Sequence, residues 1–244
     1  MRLLIDAGNT RLKWCLDDSG RCIGQGAGAI DHAEAVAGLS ISDAEVTSIA
    51  VSTVASEERR LSLLSYLSER FEAPVSFYWA EAQRNGLKSA YEDSGQMGAD
   101  RWHAMYGAWQ GHRKGFVVVD AGSAITVDYV APGGCHLGGF ILPGMQMMRR
   151  SLQVDAARVD FAPMQVSDMR PGSSTSECVN HGFAWLSGAL IDRVHKDSKA
   201  IGVSDILVTG GDAEKFLRLG LKAKLYPVLV LDGLALIDAE ADPG

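Results

Sequence analysis

The sequence predicts an α/β fold built from two similar halves, and three features carry that expectation. The first is an internal echo: Leu3-Leu4-Ile5-Asp6-Ala7-Gly8-Asn9-Thr10 is answered by Val117-Val118-Val119-Asp120-Ala121-Gly122-Ser123-Ala124. The second is the alternation of short β-branched runs with segments of helical period along both halves. The third is size and composition. A chain of 244 residues, 47% hydrophobic and 22% charged, can bury one large core or two small ones, and it is too apolar for intrinsic disorder. The boundary is expected near Lys114, dividing the chain into residues 1–114 and 115–244.

Each copy of the echo reads as strand, tight glycine turn, strand, with Leu12 to Leu16 completing the first hairpin and Ile125 to Val130 the second. The glycines are expected to supply positive φ and to leave backbone N–H groups bare for a close ligand. Gly24-x-Gly26-x-x-Ala29 has the form of a dinucleotide fingerprint, but Arg21-Cys22-Ile23 is a poor strand to precede it, so this segment reads as a surface hairpin or loop. Ser48 to Thr53 reads as a strand, Glu57 to Phe71 as a helix with Leu61, Leu64, Leu67 and Phe71 on one face, and Val75 to Trp79 as a short strand. Ala99 to His112 is helical, and its Trp102, Met105, Tyr106 and Trp109 form a stripe that reads as core or as a subunit interface. Ser174-x-x-Glu177 has the form of a capping box, opening a helix that runs through Phe183, Leu186, Leu190 and Val194 to Lys199. Asp205 to Thr209 is a strand entering Gly210-Gly211, with a helix from Asp212.

Several function classes are excluded at this level. Lys plus Arg is 23 against 30 for Asp plus Glu, a net charge of -7, so no generally basic surface is offered to nucleic acid. The four cysteines, Cys15, Cys22, Cys135 and Cys178, contain no C-x-x-C; they read as small buried hydrophobes in a reducing cytoplasm, giving neither a zinc site nor a disulfide framework. Met1 to Ile5 is too short for a signal peptide, and the uncharged stretch Tyr129 to Met148 is broken by Pro132, Pro143 and five glycines, so no membrane partner is expected. There is no Gly-Lys dipeptide for a Walker loop, no G-x-S-x-G elbow and no H-E-x-x-H metal motif.

The paired hairpins resemble the two phosphate loops of the acetate and sugar kinase, Hsp70 and actin superfamily, and within it the type III pantothenate kinase family. Asp6-Ala7-Gly8-Asn9-Thr10-Arg11-Leu12-Lys13 is similar to the first phosphate motif and Asp120-Ala121-Gly122-Ser123-Ala124 to the second. Gly98-Ala99-Asp100-Arg101 matches the family's G-x-D-R motif, and Gly138-Gly139-Phe140-Ile141-Leu142-Pro143-Gly144 its G-G-x-I-x-P-G motif. Thr209-Gly210-Gly211 sits where the superfamily has its adenosine motif. The resemblance implies two duplicated ribonuclease H-like domains with ATP in the cleft between them. It implies phosphorylation of pantothenate to 4′-phosphopantothenate, the first step of coenzyme A synthesis. It also implies a homodimer with pantothenate near the subunit interface, to which the Trp102, Tyr106 and Trp109 stripe would contribute. One departure stands out: Ser123 replaces the usual Thr, keeping the hydroxyl and losing a methyl.

The same resemblance implies roles for individual residues. Asp6 helps hold Mg²⁺ on the ATP phosphates, within an ATP-binding stretch of Ala7, Gly8, Asn9, Thr10, Arg11, Leu12 and Lys13; taken alone, Asp6 reads as an Asx turn. Asp120 is assigned to a monovalent cation, K⁺ or NH₄⁺, which adds positive charge near the transferring phosphoryl group, and Ser123 to ATP. Asp100 is the general base, at a helix start where the macrodipole favours an ionised carboxylate, though a plain capping Asp would occupy the same place. Gly98, Ala99 and Arg101 bind pantothenate beside it; the bland alternative for Arg101 is a surface salt bridge. Tyr91 stands at the family's spacing for a substrate contact. Thr175 opens a helix whose free N–H groups suit a carboxylate such as pantothenate carries. The alternatives are another small-molecule kinase of the superfamily, or a non-catalytic ATP-binding accessory regulator, which intact Asp6 and Asp100 disfavour.

Overall fold

The structure, a computed structural model, describes residues 1–29, 45–156, 158–164 and 168–241. Its elements begin with β1 (Arg2–Ala7), β2 (Arg11–Asp18), β3 (Arg21–Ala29), β4 (Ser48–Thr53), α1 (Glu57–Arg70) and β5 (Val75–Tyr78). A small hairpin, β6 (Gln83–Arg84) and β7 (Leu87–Lys88), leads to α2 (Ala99–Gly111), then β8 (Phe116–Ala121), β9 (Ala124–Val130) and β10 (His136–Pro143). The chain ends with α3 (Met145–Asp155), α4 (Thr175–Ala200), β11 (Ile206–Thr209), α5 (Ala213–Arg218), β12 (Lys224–Leu225) and α6 (Leu229–Ala241). Two compact units result, Met1–Gly111 with Val228–Gly244, and His112–Pro227. No helix among the described residues is long and apolar enough to cross a membrane.

In the first unit β1, β2 and β3 form an antiparallel meander, and β4 and β5 extend it in parallel, giving the order β3-β2-β1-β4-β5. Alternation along β1 sends Leu3 and Ile5 to a face covered by Leu63 and Leu67 of α1. Leu4 goes to the other face, beside Leu231 and Leu234 of α6. The apolar stripe of α1 runs Leu63, Leu67, Phe71; Leu61, expected on it, is 50% exposed. The Ser56 hydroxyl caps α1 by accepting from Arg59 N at 3.4 Å.

The last helix places the domain boundary differently from the expected 1–114 and 115–244. α6 lies on α2 of the first unit rather than joining the second. Two glycines explain the close crossing. A Cβ on Gly107 would lie 2.9 Å from Leu229 O and 3.0 Å from Gly233 N, and one on Gly233 would run into the His103 carbonyl. Around this crossing Trp102, Tyr106 and Trp109 are buried. The Tyr106 hydroxyl donates to Glu240 at 2.6 Å, and Trp109 Nε1 donates to Asn85 O at 2.9 Å. The stripe is therefore interior to its own unit and is not a surface for a second subunit.

Of the two readings of Arg21–Ala29, the surface hairpin is what forms: a nine-residue edge strand antiparallel to β2, in which Gly26 leaves room for the Trp14 indole that a Cβ there would meet at 2.6 Å. The reading of the cysteines changes. Cys15 and Cys22 are paired as a disulfide across β2 and β3, with Cα atoms 6.0 Å apart. Cys135 and Cys178 are free and exposed rather than buried.

The second unit repeats the arrangement of the first: β8, β9 and β10 antiparallel, β11 and β12 parallel, in the order β10-β9-β8-β11-β12. Val117, Val119 and Val127 pack under Ile191 and Val194 of α4 and Phe216 of α5. In both sheets the Asp-Ala-Gly tripeptide closes the central strand, at the carboxyl end where an antiparallel neighbour meets a parallel one. Strand carboxyl ends at such a change of direction are where open α/β sheets take ligands.

Candidate active site

The first phosphate turn is fastened by its surroundings. Gly8 N donates to Arg11 O at 3.0 Å, and Asp6 faces Lys13 across the ladder. Ala7 O accepts from Val54 N at 3.3 Å and from the Thr53 hydroxyl at 3.2 Å, while Asn9 O accepts from Arg59 Nη1 at 2.9 Å. Asp6 is buried behind the turn; Asn9, Thr10 and Arg11 are exposed, and Gly8 and Lys13 half-buried. Ala7 and Leu12 turn their side chains into the core, so these two can meet a ligand through the backbone only.

The second turn is tighter, with Gly122 N donating to Ala124 O at 3.0 Å and Ser123 exposed at its tip. Neither Gly8 nor Gly122 has the positive φ expected of it. Glycine serves close approach instead: a Cβ on Gly8 would stand 3.2 Å from Arg11 O. Two segments far apart in sequence converge on the second turn. Asp120, half-buried, is in register with Thr209 of β11. Gly210 follows at φ 94°, so close that a Cβ would strike Ala121 O and the Asp120 carboxylate, and Asp212 N donates to Ala121 O at 2.8 Å. From β10, Gly144 N donates to Ser123 O at 3.0 Å. Beside Gly210 and Gly211 opens a cavity of about 660 Å³. The bracing role of Gly144 escapes sequence reasoning, because its signal is steric: any Cβ there collides with the Gly122 and Ser123 carbonyls.

The G-x-D-R residues stand at the N-terminus of α2 in the first unit. Asp100 lies in the first turn, half-buried, and its Oδ1 accepts from Arg101 N at 2.8 Å. A Cβ on Gly98 would be 2.6 Å from that oxygen, so glycine leaves the carboxylate its room. Arg101 is only 5% exposed, which rules out a surface salt bridge. Its Nη1 donates to the Tyr91 hydroxyl at 2.8 Å, and its guanidinium lies 5.7 Å from the centre of that ring. Tyr91, Asp100 and Arg101 are thus one cluster, with Ala99 buried beneath it.

Thr175 belongs to the second unit, exposed as the first residue of α4. The Ser174 hydroxyl caps the helix by accepting from Glu177 N at 3.2 Å. Glu177 reaches back to Ser173 N at 2.7 Å rather than to Ser174, a capping box displaced by one residue, and the Ser173 hydrogen bonds hold its carboxyl below the usual range. Among the described residues no group of three His, Cys, Asp or Glu side chains could hold a metal ion. Single carboxylates such as Asp6 and Asp120 suit cations that take their remaining ligands from phosphate and water.

Comparison with known proteins fits this geometry. The family model described as type III pantothenate kinase matches residues 2–197. The chain is 55% identical over 234 residues to a type III pantothenate kinase of Marinobacter nauticus, covering 96% of each chain. It is 34% identical to one of Alcanivorax borkumensis, covering 98% of this chain and 99% of that one. Among solved structures, a Campylobacter jejuni protein described as a conserved Baf family transcriptional activator superposes with a TM-score of 0.62 at 23% identity, covering 98% of both chains. A Sinorhizobium meliloti protein described as a 2-dehydro-3-deoxygalactonokinase gives 0.62 at 13% identity, covering 100% of both. These two likenesses speak for the fold alone, a mixed α/β fold. By its sequence match along most of its length, the chain belongs to the type III pantothenate kinase family.

Proposed function

We propose that Asp100 is the general base in the reaction of this family, the ATP-dependent phosphorylation of pantothenate to 4′-phosphopantothenate that opens coenzyme A synthesis. The observation that carries this reading is the cluster at the start of α2, where Asp100 sits beside a buried Arg101 tied to Tyr91. The Asp100 carboxylate takes the proton of the primary hydroxyl as its oxygen attacks the γ-phosphorus of ATP, and ADP leaves with the bridging oxygen. Arg101, Tyr91, Gly98, Ala99 and Thr175 hold pantothenate. Buried Arg101 offers a fixed positive charge and Thr175 the free N–H groups of a helix start.

The backbone of Gly8 to Lys13 and the Ser123 hydroxyl hold the nucleotide's phosphates, so that the phosphate turns of both sheets serve one ATP. Asp6 and Asp120 hold Mg²⁺ and a monovalent cation, K⁺ or NH₄⁺; both ions offset charge on the phosphates. The repeated strand order of the two sheets is read as a duplicated ribonuclease H-like pair. The reaction is assigned to the cytoplasm and to a homodimer. The dimer surface is proposed at β10, an edge strand where Phe140 and Ile141 are 53% and 64% exposed.

ADP release with ATP, Mg²⁺ and pantothenate, in K⁺ and in Na⁺ buffer, tests the assignment. Asp100→Asn is expected to lower turnover by about 100-fold or more while ATP still binds. K⁺ is expected to raise the rate over Na⁺. Full activity in Asp100→Asn would remove the base from this scheme.

A further inference from the structure

The cavity beside Gly210-Gly211 is lined by two cations that form no ion pair among the described residues. Arg149 of α3 and Lys215 of α5 both line it. Among the described residues, Arg149 Nε is buried with no hydrogen-bond partner, its Nη2 donates to Met164 O at 3.4 Å, and its guanidinium lies 5.7 Å from the centre of the Phe183 ring. Among the described residues neither Arg149 nor Lys215 has a carboxylate within ion-pair distance. Two acids also line the cavity. Glu214 accepts from Arg218 at 3.4 Å, and Asp212 attracts Lys215 without pairing to it. Burial first, and then the charge of Arg149, push the Lys215 ammonium below its ordinary value, so the two cations feel each other. Like charges gathered in a partly buried cavity are unfavourable until an anion joins them.

We propose that Arg149 and Lys215 grip the anionic phosphate of the bound nucleotide, making this cavity select a phosphorylated nucleotide over its nucleoside. The proposal rests on the reading of the Gly210-Gly211 turn as part of the ATP site. It adds two residues outside the phosphate turns that recognise the same ligand. Arg149 supplies a fork of donors from a guanidinium lying over the Phe183 ring, and Lys215 a point charge on a flexible stem.

The test is equilibrium binding of ADP, adenosine and pyrophosphate to the full chain in Mg²⁺ buffer, by calorimetry. Arg149→Gln, Lys215→Gln and Arg149→Lys are compared with the unaltered protein, each checked for native circular dichroism. Arg149→Gln and Lys215→Gln are expected to weaken ADP binding about 10- to 100-fold, the effect of losing one charged hydrogen bond, and to leave adenosine binding unchanged. Arg149→Lys should recover part of the loss, and KM should rise for ATP and not for pantothenate. Unchanged ADP binding overturns the proposal. So does equal weakening of ADP and adenosine, which would make both residues mere wall of the cavity. Weakened pyrophosphate binding beside normal ADP binding overturns it too, assigning the pair to a free anion. An unaltered protein that releases ADP on pantothenate addition, with variants that bind ADP normally, sinks this inference and leaves the kinase reading standing. Failure of the unaltered protein to bind ADP at all removes both.

Discussion

Asp100 and His103 lie about one turn apart near the start of α2 and show how far burial decides what a residue can do. Asp100 stays half-buried beside a glycine that leaves its carboxylate space, which the role proposed for it requires. His103 is fully buried; its Nδ1 sits 2.8 Å from the Ser52 hydroxyl, and its Nε2 has no partner. Burial lowers its pKa to about 3, so the folded protein keeps it neutral. In the unfolded chain it protonates near its ordinary value of about 6.5, so below that pH the unfolded state binds the extra proton. The stability His103 protects is therefore complete above about pH 6.5 and falls as the pH drops towards 3, by about 2 kcal/mol between pH 7.5 and 5. Urea unfolding at these two pH values, compared with His103→Gln, is expected to show that difference in the unaltered protein alone. Equal losses in both would show that His103 protonates freely when folded. At this scale the sequence was informative about chemistry and poor about environment. The G-x-D-R match singled out Asp100 and Arg101, but only packing shows that Arg101 is interior and held by Tyr91. The positive φ expected at Gly8 and Gly122 misread why glycine is there, since steric room leaves no trace in a single chain's pattern.

Short apolar runs and one-faced helices were legible; a helix apolar over most of its surface was not. β1, β4 and β8 announce themselves as short apolar runs ending in turn residues, and α1 through its helical spacing. α6 does not, because Leu229-Val230-Leu231 and Leu234-Ala235-Leu236-Ile237 are apolar around the whole helix, and a helix without a polar face has no period to read. Its place depends on two residues with no side chain. Gly107 and Gly233 let the backbones of α2 and α6 meet, and the atom a Gly233 Cβ would strike is the His103 carbonyl, a helix backbone that cannot swing aside. Gly233→Val is therefore expected to cost about 3 kcal/mol or more in unfolding free energy, at the upper end of overpacking effects. Gly211→Ala, where a Cβ meets nothing within 4 Å, should change it little. A Gly233→Val protein as stable as the original would mean that the two helices do not cross at this glycine pair.

At the scale of the whole molecule, the repeated tripeptide pointed to two sheets of like order, since both copies close the central strand of a five-stranded sheet with the same order. The surface proposed for the homodimer was not legible, since Gly138 to Gly144 reads as a motif before it reads as a surface. In the folded chain β10 is an edge strand whose side chains Leu137, Phe140, Ile141 and Leu142 are exposed. An apolar edge of this kind is a template for pairing or aggregation unless something covers it, and no Lys or Arg on the strand protects it. A second copy of the chain would cover it, as the proposed homodimer requires. Static light scattering is expected to give twice the chain mass for the unaltered protein and the single-chain mass for Ile141→Lys. That charge falls on a side chain 64% exposed, so the fold of the single chain should survive, with an unchanged circular dichroism spectrum. If pantothenate sits near the subunit interface, Ile141→Lys should lose pantothenate-dependent turnover while still binding ADP, because the nucleotide is proposed to bind elsewhere, at the phosphate turns. A monomeric unaltered protein with full turnover would refute the dimer and the interface placement together; a dimer that Ile141→Lys leaves intact would move the contact away from β10.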